Sequence, residues 1–155
     1  MGELVSRSPT IAMLVLSFVV SSDVVFAGPL EDGEAAYNRG DYATALRLLG
    51  PLAEQGNAGA QLHLGQMYAQ GEGVAQDYKE ATKWYQLAAL QGDAVAQFNL
   101  GLMYDQGNGV PQDFQEEMKW LRLAALQGDA AAQTNLGSLY ANGRMWPAPG
   151  LRGAA

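Results

Sequence analysis

Ala60, Leu64 and Tyr68 fall four residues apart, so a helix would carry all three on one face. The same face returns 36 residues later as Ala96, Leu100 and Tyr104, and again as Ala132, Leu136 and Tyr140. Gly65, Gly101 and Gly137 keep that step beside the stripe. A second amphipathic stretch follows the first, with Tyr78, Ala81, Tyr85 and Ala88 on its stripe and Trp84 at the edge; Trp120 stands one step further on. Two helical patterns in each period mark helical hairpins that stack because none can bury its apolar face alone. The expected fold is all-α, a solenoid of stacked helical hairpins.

Turn chemistry sets the boundaries. Gly56-Asn57, Gly92-Asp93 and Gly128-Asp129 each end a helix on a left-handed glycine and cap the next one with a side-chain oxygen. First helices are expected over Ala58 to Ala69 and Ala130 to Ala141, and the matching stretch after Asp93. A glycine inside a helix costs about 1 kcal/mol relative to alanine. Its recurrence at one phase implies close approach of a neighbouring helix. The loop from Gln70 to Gln76 holds Gly71 and Gly73, and its counterpart holds Gly107 and Gly109 before Val110-Pro111. Asp77 to Glu80 and Asp113 to Glu116 read as capping boxes in which the glutamate reaches back to the cap amide.

Ahead of these units, Leu30 to Asn38 and Tyr42 to Gln55 form a tighter hairpin around Gly40-Asp41, with Pro51 expected to kink its second helix or loosen one turn. Asp41, Tyr42, Ala45 and Gly56 correspond to Asp77, Tyr78, Ala81 and Gly92, so this is a first, atypical repeat. The organisation is then a leading hairpin over 28–57, units over 58–93 and 94–129, an incomplete unit over 130–143 and an irregular tail over 144–155. Pro147 and Pro149 stand against another helix in the tail. Leu136, Leu139 and Tyr140 are expected to lack a partner helix, and Met145 and Trp146 to fold back over them.

Residues 1–27 form a separate element. Arg7 precedes the apolar run from Ile11 to Val20, and Val25-Phe26-Ala27 supplies small residues before a cleavage site at Gly28. That is the layout of a secretory signal peptide, and the run is shorter than the roughly 20 residues a membrane span needs. The expected location is secreted or periplasmic, with no stable membrane span after cleavage. Removing Glu3, Arg7 and Asp23 with the leader leaves 14 acidic and 8 basic residues, a formal charge of −6, which makes nucleic acid a poor partner. The chain has no cysteine, which excludes disulfides and thiol catalysis.

Candidate chemistry is sparse. His63 is the single histidine, which excludes a multi-histidine metal site and leaves no serine triad with a second supporting signal. Gly71-Glu72-Gly73-Val74 lacks the Gly-Lys-Ser/Thr ending of a phosphate loop and reads as a turn between helices. Asp105 and Asn108 lack the acidic spacing and terminal glutamate of a calcium loop. Glu116-Glu117 sits at a helix start and reads as a solvated pair favoured by the helix dipole. No catalytic residue, metal ligand or cofactor is assigned.

The string Ala-Gln-x-x-Leu-Gly-x-x-Tyr, followed by Gly-x-Gly-Val, Asp, Trp and Ala-Ala-x-x-Gly, resembles the Sel-one-like repeat (SLR), a relative of the tetratricopeptide repeat. The resemblance covers about Ala58 to Tyr140. It implies a right-handed α-solenoid whose first helices line a concave face used for protein or peptide binding, and many bacterial members are exported. In tetratricopeptide phase the groove-facing positions are Val95, Phe98, Leu102, Asp105 and Gln106, with Gly59, Leu62, Gln66, Ala69 and Gln70 one unit earlier. Phe98 and Leu62 read equally well as anchors for a partner's apolar side chain or as packing between helices. The expected function is an exported scaffold binding a protein or peptide without catalysis. The alternative, an exported cell-wall hydrolase of the helical SLR type, is opposed by the lack of cysteine and of a nucleophile with its base.

Overall fold

In the computed structural model, which describes residues 28–143, seven helices follow one another. They are α1 (Pro29–Asn38), α2 (Tyr42–Glu54), α3 (Ala58–Gln70), α4 (Tyr78–Leu90), α5 (Ala94–Gln106), α6 (Phe114–Leu126) and α7 (Ala130–Ala141). The described residues contain no strand. Each helix packs on the next, and α1 also touches α3. The result is an α-solenoid in which α1, α3, α5 and α7 are the first helices of their hairpins and α2, α4 and α6 the second. The N-terminal leader and the tail after Gly143, with the expected docking of Met145 and Trp146, lie outside the described residues.

The caps explain why helices start where they do. Asn57, Asp93 and Asp129 accept from the amides of Ala60, Ala96 and Ala132 at 2.9, 2.7 and 2.7 Å. Asp77 accepts from Lys79 and Glu80, and Asp113 from Gln115 and Glu116. The expected reciprocal half of those capping boxes does not form. The Asp77 and Asp113 amides are taken by the Tyr68 and Tyr104 carbonyls of the preceding helix, so Glu80 and Glu116 turn to Lys83 and Lys119 instead. At the other end, Gly71 and Gly107 close α3 and α5 in the left-handed region, at φ 74° and 71°. Helix α2 runs on through Pro51, whose exposed ring faces away from the core; only the Arg47 carbonyl loses a backbone donor.

Three apolar clusters join each second helix to the first helix of the next unit. Ala45, Leu49 and Ala53 of α2 meet Ala60, Leu64 and Met67 of α3. Ala81, Tyr85 and Ala89 of α4 meet Ala96, Leu100 and Met103 of α5, and Met118, Leu121 and Ala124 of α6 meet Ala132, Leu136 and Leu139 of α7. The helical glycines are where hairpins close: a Cβ on Gly65 would stand 2.5 Å from the Tyr85 ring, and one on Gly101 3.1 Å from Leu121. Gly137 has nothing within 4 Å among the described residues.

Three expectations are corrected by these contacts. Leu136 and Leu139 are buried against α6, each at 9% exposure, so α7 leaves only Tyr140 of the three open, and Arg122 donates to its hydroxyl at 3.0 Å. Glu117 is not solvated. It stands one step on from Ala45 and Ala81, and that buried phase carries it inside to 4% exposure, while Glu116 stays near the surface in its ion pair with Lys119. Trp120 is likewise buried rather than marginal, with its indole N–H donating to Glu116 at 2.9 Å.

Candidate protein-docking face

The glycine loops do more than turn the chain. Gly73 lies against Tyr42, the first residue of α2, and Gly109 lies so close to the first residue of α4 that a Cβ would collide with the Tyr78 carbonyl. Both glycines have positive φ, 73° and 75°, which side chains other than glycine rarely tolerate. The valines that follow pack onto the preceding core, Val74 on the cluster that contains Leu49 and Met67, Val110 on the one that contains Tyr85 and Met103. Thr82 sits at the joint, its hydroxyl 2.8 Å from the Tyr78 carbonyl of its own helix and 3.2 Å from the Asn108 carbonyl. Gly-x-Gly-Val is therefore the joint between successive units.

A glutamine ladder holds the same joint from the inside. Gln61, Gln97 and Gln133, one step apart, each donate to a carbonyl of the preceding second helix, that of Ala53, Ala89 and Ala125. Gln91 and Gln127 donate in turn to the side-chain oxygens of Gln61 and Gln97 at 2.7 and 2.8 Å. Gln61 and Gln97 are buried, at 3% and 4% exposure, and buried amides must be paired to be tolerated. Each therefore links three consecutive helices. Sequence reasoning missed them because a glutamine next to the conserved-phase alanine reads as a surface residue; their 36-residue recurrence was the available signal.

With one side of each first helix committed to the core, the remaining side is what a partner can reach. On α3, Leu62 and Gln66 are half-buried and Gln70 is exposed. On α5, Val95 and Gln106 are exposed, while Phe98, Leu102 and Asp105 are half-buried. These positions lie among those the buried set of Ala60, Leu64, Ala96 and Leu100 leaves open. Leu62 and Phe98 have a double role. Leu62 packs on the cluster of Tyr85 and Leu100, and Phe98 on that of Leu121 and Leu136, so both help join first helices to the following core. Gln106 accepts from Asn108 at 2.7 Å, at the edge of the face.

The N-terminal end of the stack holds a polar cluster. Tyr37 and Tyr42 donate their hydroxyls to the two oxygens of Glu72, at 2.9 and 2.7 Å. Burial, then the hydrogen bond to Glu72, pushes the Tyr37 hydroxyl well above its usual range, and the hydrogen bond to Glu72 raises that of Tyr42. Burial also raises Tyr85. The His63 ring lies 4.9 Å from that of Tyr37, and its Nε2 is 3.7 Å from the Glu34 carboxylate. The pairings give the cluster a structural task, joining α1 and α2 to the loop after α3. Elsewhere an open depression of about 270 Å³ on α6 is lined by Gln115, Glu116, Met118, Lys119 and Arg122, with Glu116 and Lys119 already ion-paired. Among the described residues no group of three His, Cys, Asp or Glu side chains could hold a metal ion, and no helix is long and apolar enough to cross a membrane.

Three Sel1 repeats match the chain, over residues 58–93, 94–129 and 130–149. The chain belongs to the Sel1 repeat family. No curated protein matches it. Among solved structures, the Sel1 repeat protein from Oxalobacter formigenes superposes with a TM-score of 0.70 at 45% identity, covering 74% of this chain and 46% of that one. A protective antigen present in uropathogenic Escherichia coli strains and displaying an SLR fold gives the same score and identity, covering 74% of this chain and 26% of its own. The chain thus spans less than half the length of either. Cysteine-rich protein B of Helicobacter pylori, 18% identical with a TM-score of 0.55, shares the fold over 68% of this chain and 95% of its own. The Sel1 units begin at Ala58 and Ala94, where Asn57 and Asp93 cap the first helices, so the repeat boundary and the cap coincide. A Sel1 array of this kind is consistent with a protein-interaction scaffold.

Proposed function

We propose that this Sel1 repeat protein is an exported scaffold without catalysis of its own, which docks a protein or peptide segment along the open side of α1, α3, α5 and α7. One observation carries the reading: equivalent positions on successive first helices, Gln66 and Leu102 or Gln70 and Gln106, are left accessible while their helical neighbours are buried. A stack that repeats one open position every 36 residues presents a row of contacts at regular intervals, which suits an extended partner. Export is supported by the apolar run from Ile11 to Val20 and the small residues before Gly28.

The test is capture from an envelope extract by the chain starting at Gly28, compared with two double variants. Val95→Asn with Leu102→Asn removes apolar contacts from the docking face without adding charge. Leu90→Ser with Leu126→Ser alters the most exposed leucines of the second helices, 68% and 84% accessible, outside the first helices. The expected outcome is loss of the captured protein with the first pair and retention with the second. Retention by the first pair and loss by the second would move docking to the second helices and overturn the reading.

A further inference from the structure

Charge is divided between the two kinds of helix. The first helices α1, α3, α5 and α7 carry no lysine or arginine at all, and their charged residues are Glu31, Asp32, Glu34 and Asp105. Every basic residue among those described lies elsewhere: Arg39 in the turn after α1, the rest on α2, α4 and α6. Helix formation does not demand this, because lysine and arginine are good helix formers and the open positions of α3 and α5 would accept them at little cost. On the second helices, by contrast, Glu80 is paired with Lys83 and Glu116 with Lys119. The docking face is therefore apolar and amide-rich through Leu62, Gln66, Val95 and Leu102, with negative charge and no fixed positive charge.

Glu34 marks where that charge meets the face. Its carboxylate oxygen lies 3.5 Å from the point where a Gly59 side chain would begin, at the seam of α1 and α3. The side chain is 39% exposed, and the group facing it from α3 is His63. A carboxylate on such a face attracts cations and repels acidic segments.

We propose that the docked segment is cationic and apolar, a peptide whose Leu- or Phe-type side chains lie along α3 and α5 and whose Lys or Arg sits over Glu34. An acidic segment or a free C-terminal carboxylate would find no lysine or arginine on these four helices to receive it, and the one histidine, His63, already faces Glu34. The proposal rests on the docking reading above and specifies the partner's chemistry.

A phage-displayed random peptide library selected on the immobilised chain from Gly28 onward separates the two. The expected result is a set of peptides enriched in Lys or Arg and in Leu or Phe and depleted in Asp and Glu. Binding of the best synthetic peptide should weaken with rising salt and drop about threefold to fivefold in Glu34→Gln, as for one partly exposed ion pair, while Leu90→Ser leaves it unchanged. Selected peptides that bind the face, as judged by loss with the uncharged Val95→Asn, but are neutral or acidic would overturn the cationic assignment alone. Failure to select any peptide sensitive to Val95→Asn would overturn the docking reading with it.

Discussion

Gly65 lies against the ring of Tyr85 so closely that a methyl group on it would be 2.5 Å from the aromatic carbons. Tyr85 is itself 3% exposed and held by the core of α4 and α5, so it has little room to retreat. Gly65→Ala should lower stability by about 1 to 3 kcal/mol through overpacking, despite the better helix propensity of alanine. Among the described residues nothing lies within 4 Å of a Cβ on Gly137 at the equivalent position, and there Gly137→Ala should raise stability by about 1 kcal/mol. Urea unfolding of the two variants checks this. A stabilised Gly65→Ala would mean that α3 and α4 do not approach as described.

The glutamine ladder makes a sharper demand. Gln97→Ala removes a buried amide that bonds both the Ala89 carbonyl and the Gln127 side chain, and should cost about 1 to 2 kcal/mol, since that carbonyl keeps its bond from the Gly92 amide. Gln133→Ala removes only an exposed bond to Ala125 and should stay within about 0.5 kcal/mol. Equal effects from the two, measured by the same unfolding curve, would remove the ladder from the account of how units are joined.

Phe98 shows where reading the sequence stopped short. Helix phase assigns it an open position, and the structure gives it half of that: the ring is partly accessible and partly seated on the cluster of Leu121 and Leu136. Phe98→Ala should therefore destabilise the fold by about 2 kcal/mol, roughly half the cost of emptying a fully buried phenylalanine site. Val95→Ala, more exposed and outside the apolar clusters, should leave the melting temperature unchanged. A melting temperature that Phe98→Ala does not move would return the residue wholly to the docking face.

Period, caps and turns carried most of the architecture, since each helix start from α2 onward is written in an Asn or Asp, and the close approaches of α3 to α4 and of α5 to α6 in a recurring glycine. What stayed hidden depends on phase within a turn of helix or on chain far away. Glu117 is an acidic residue at the phase of Ala45 and Ala81, so residue type pointed outward while position pointed inward. Leu136 and Leu139 seemed to need a following helix, but α6 already covers them from before. The Glu72 pairing joins residues 30 and 35 positions apart and leaves no periodic trace, because the next unit has Asn108 there.

The tyrosines around Glu72 imply a response to alkali. The folded-state hydroxyls of Tyr37, Tyr42 and Tyr85 are raised above the usual value of 10.0, so the native chain keeps protons that the unfolded chain releases. Their contribution to stability is whole below pH 10 and declines as pH rises beyond it. Ultraviolet titration should show late-ionising tyrosines, with the melting temperature falling above that pH. Glu72→Gln should bring the Tyr37 and Tyr42 ionisations earlier; no change in the titration would contradict the shared-carboxylate arrangement.

Export has its own check. Mass spectrometry of material released on expression of the full chain in a bacterial host should show a protein beginning at Gly28. An intact Met1 in that material would reject cleavage after Ala27.

The central claim is that partners meet the first helices. Titrating the protein captured from envelope extract into isotope-labelled chain, while following backbone amide resonances by NMR, tests it most directly. Docking on the open side of α3 and α5 requires the largest shifts at Leu62, Gln66, Val95 and Leu102, with Leu87, Leu90, Leu123 and Leu126 unmoved. Shifts concentrated on those four leucines of α4 and α6, with the first helices silent, would contradict it.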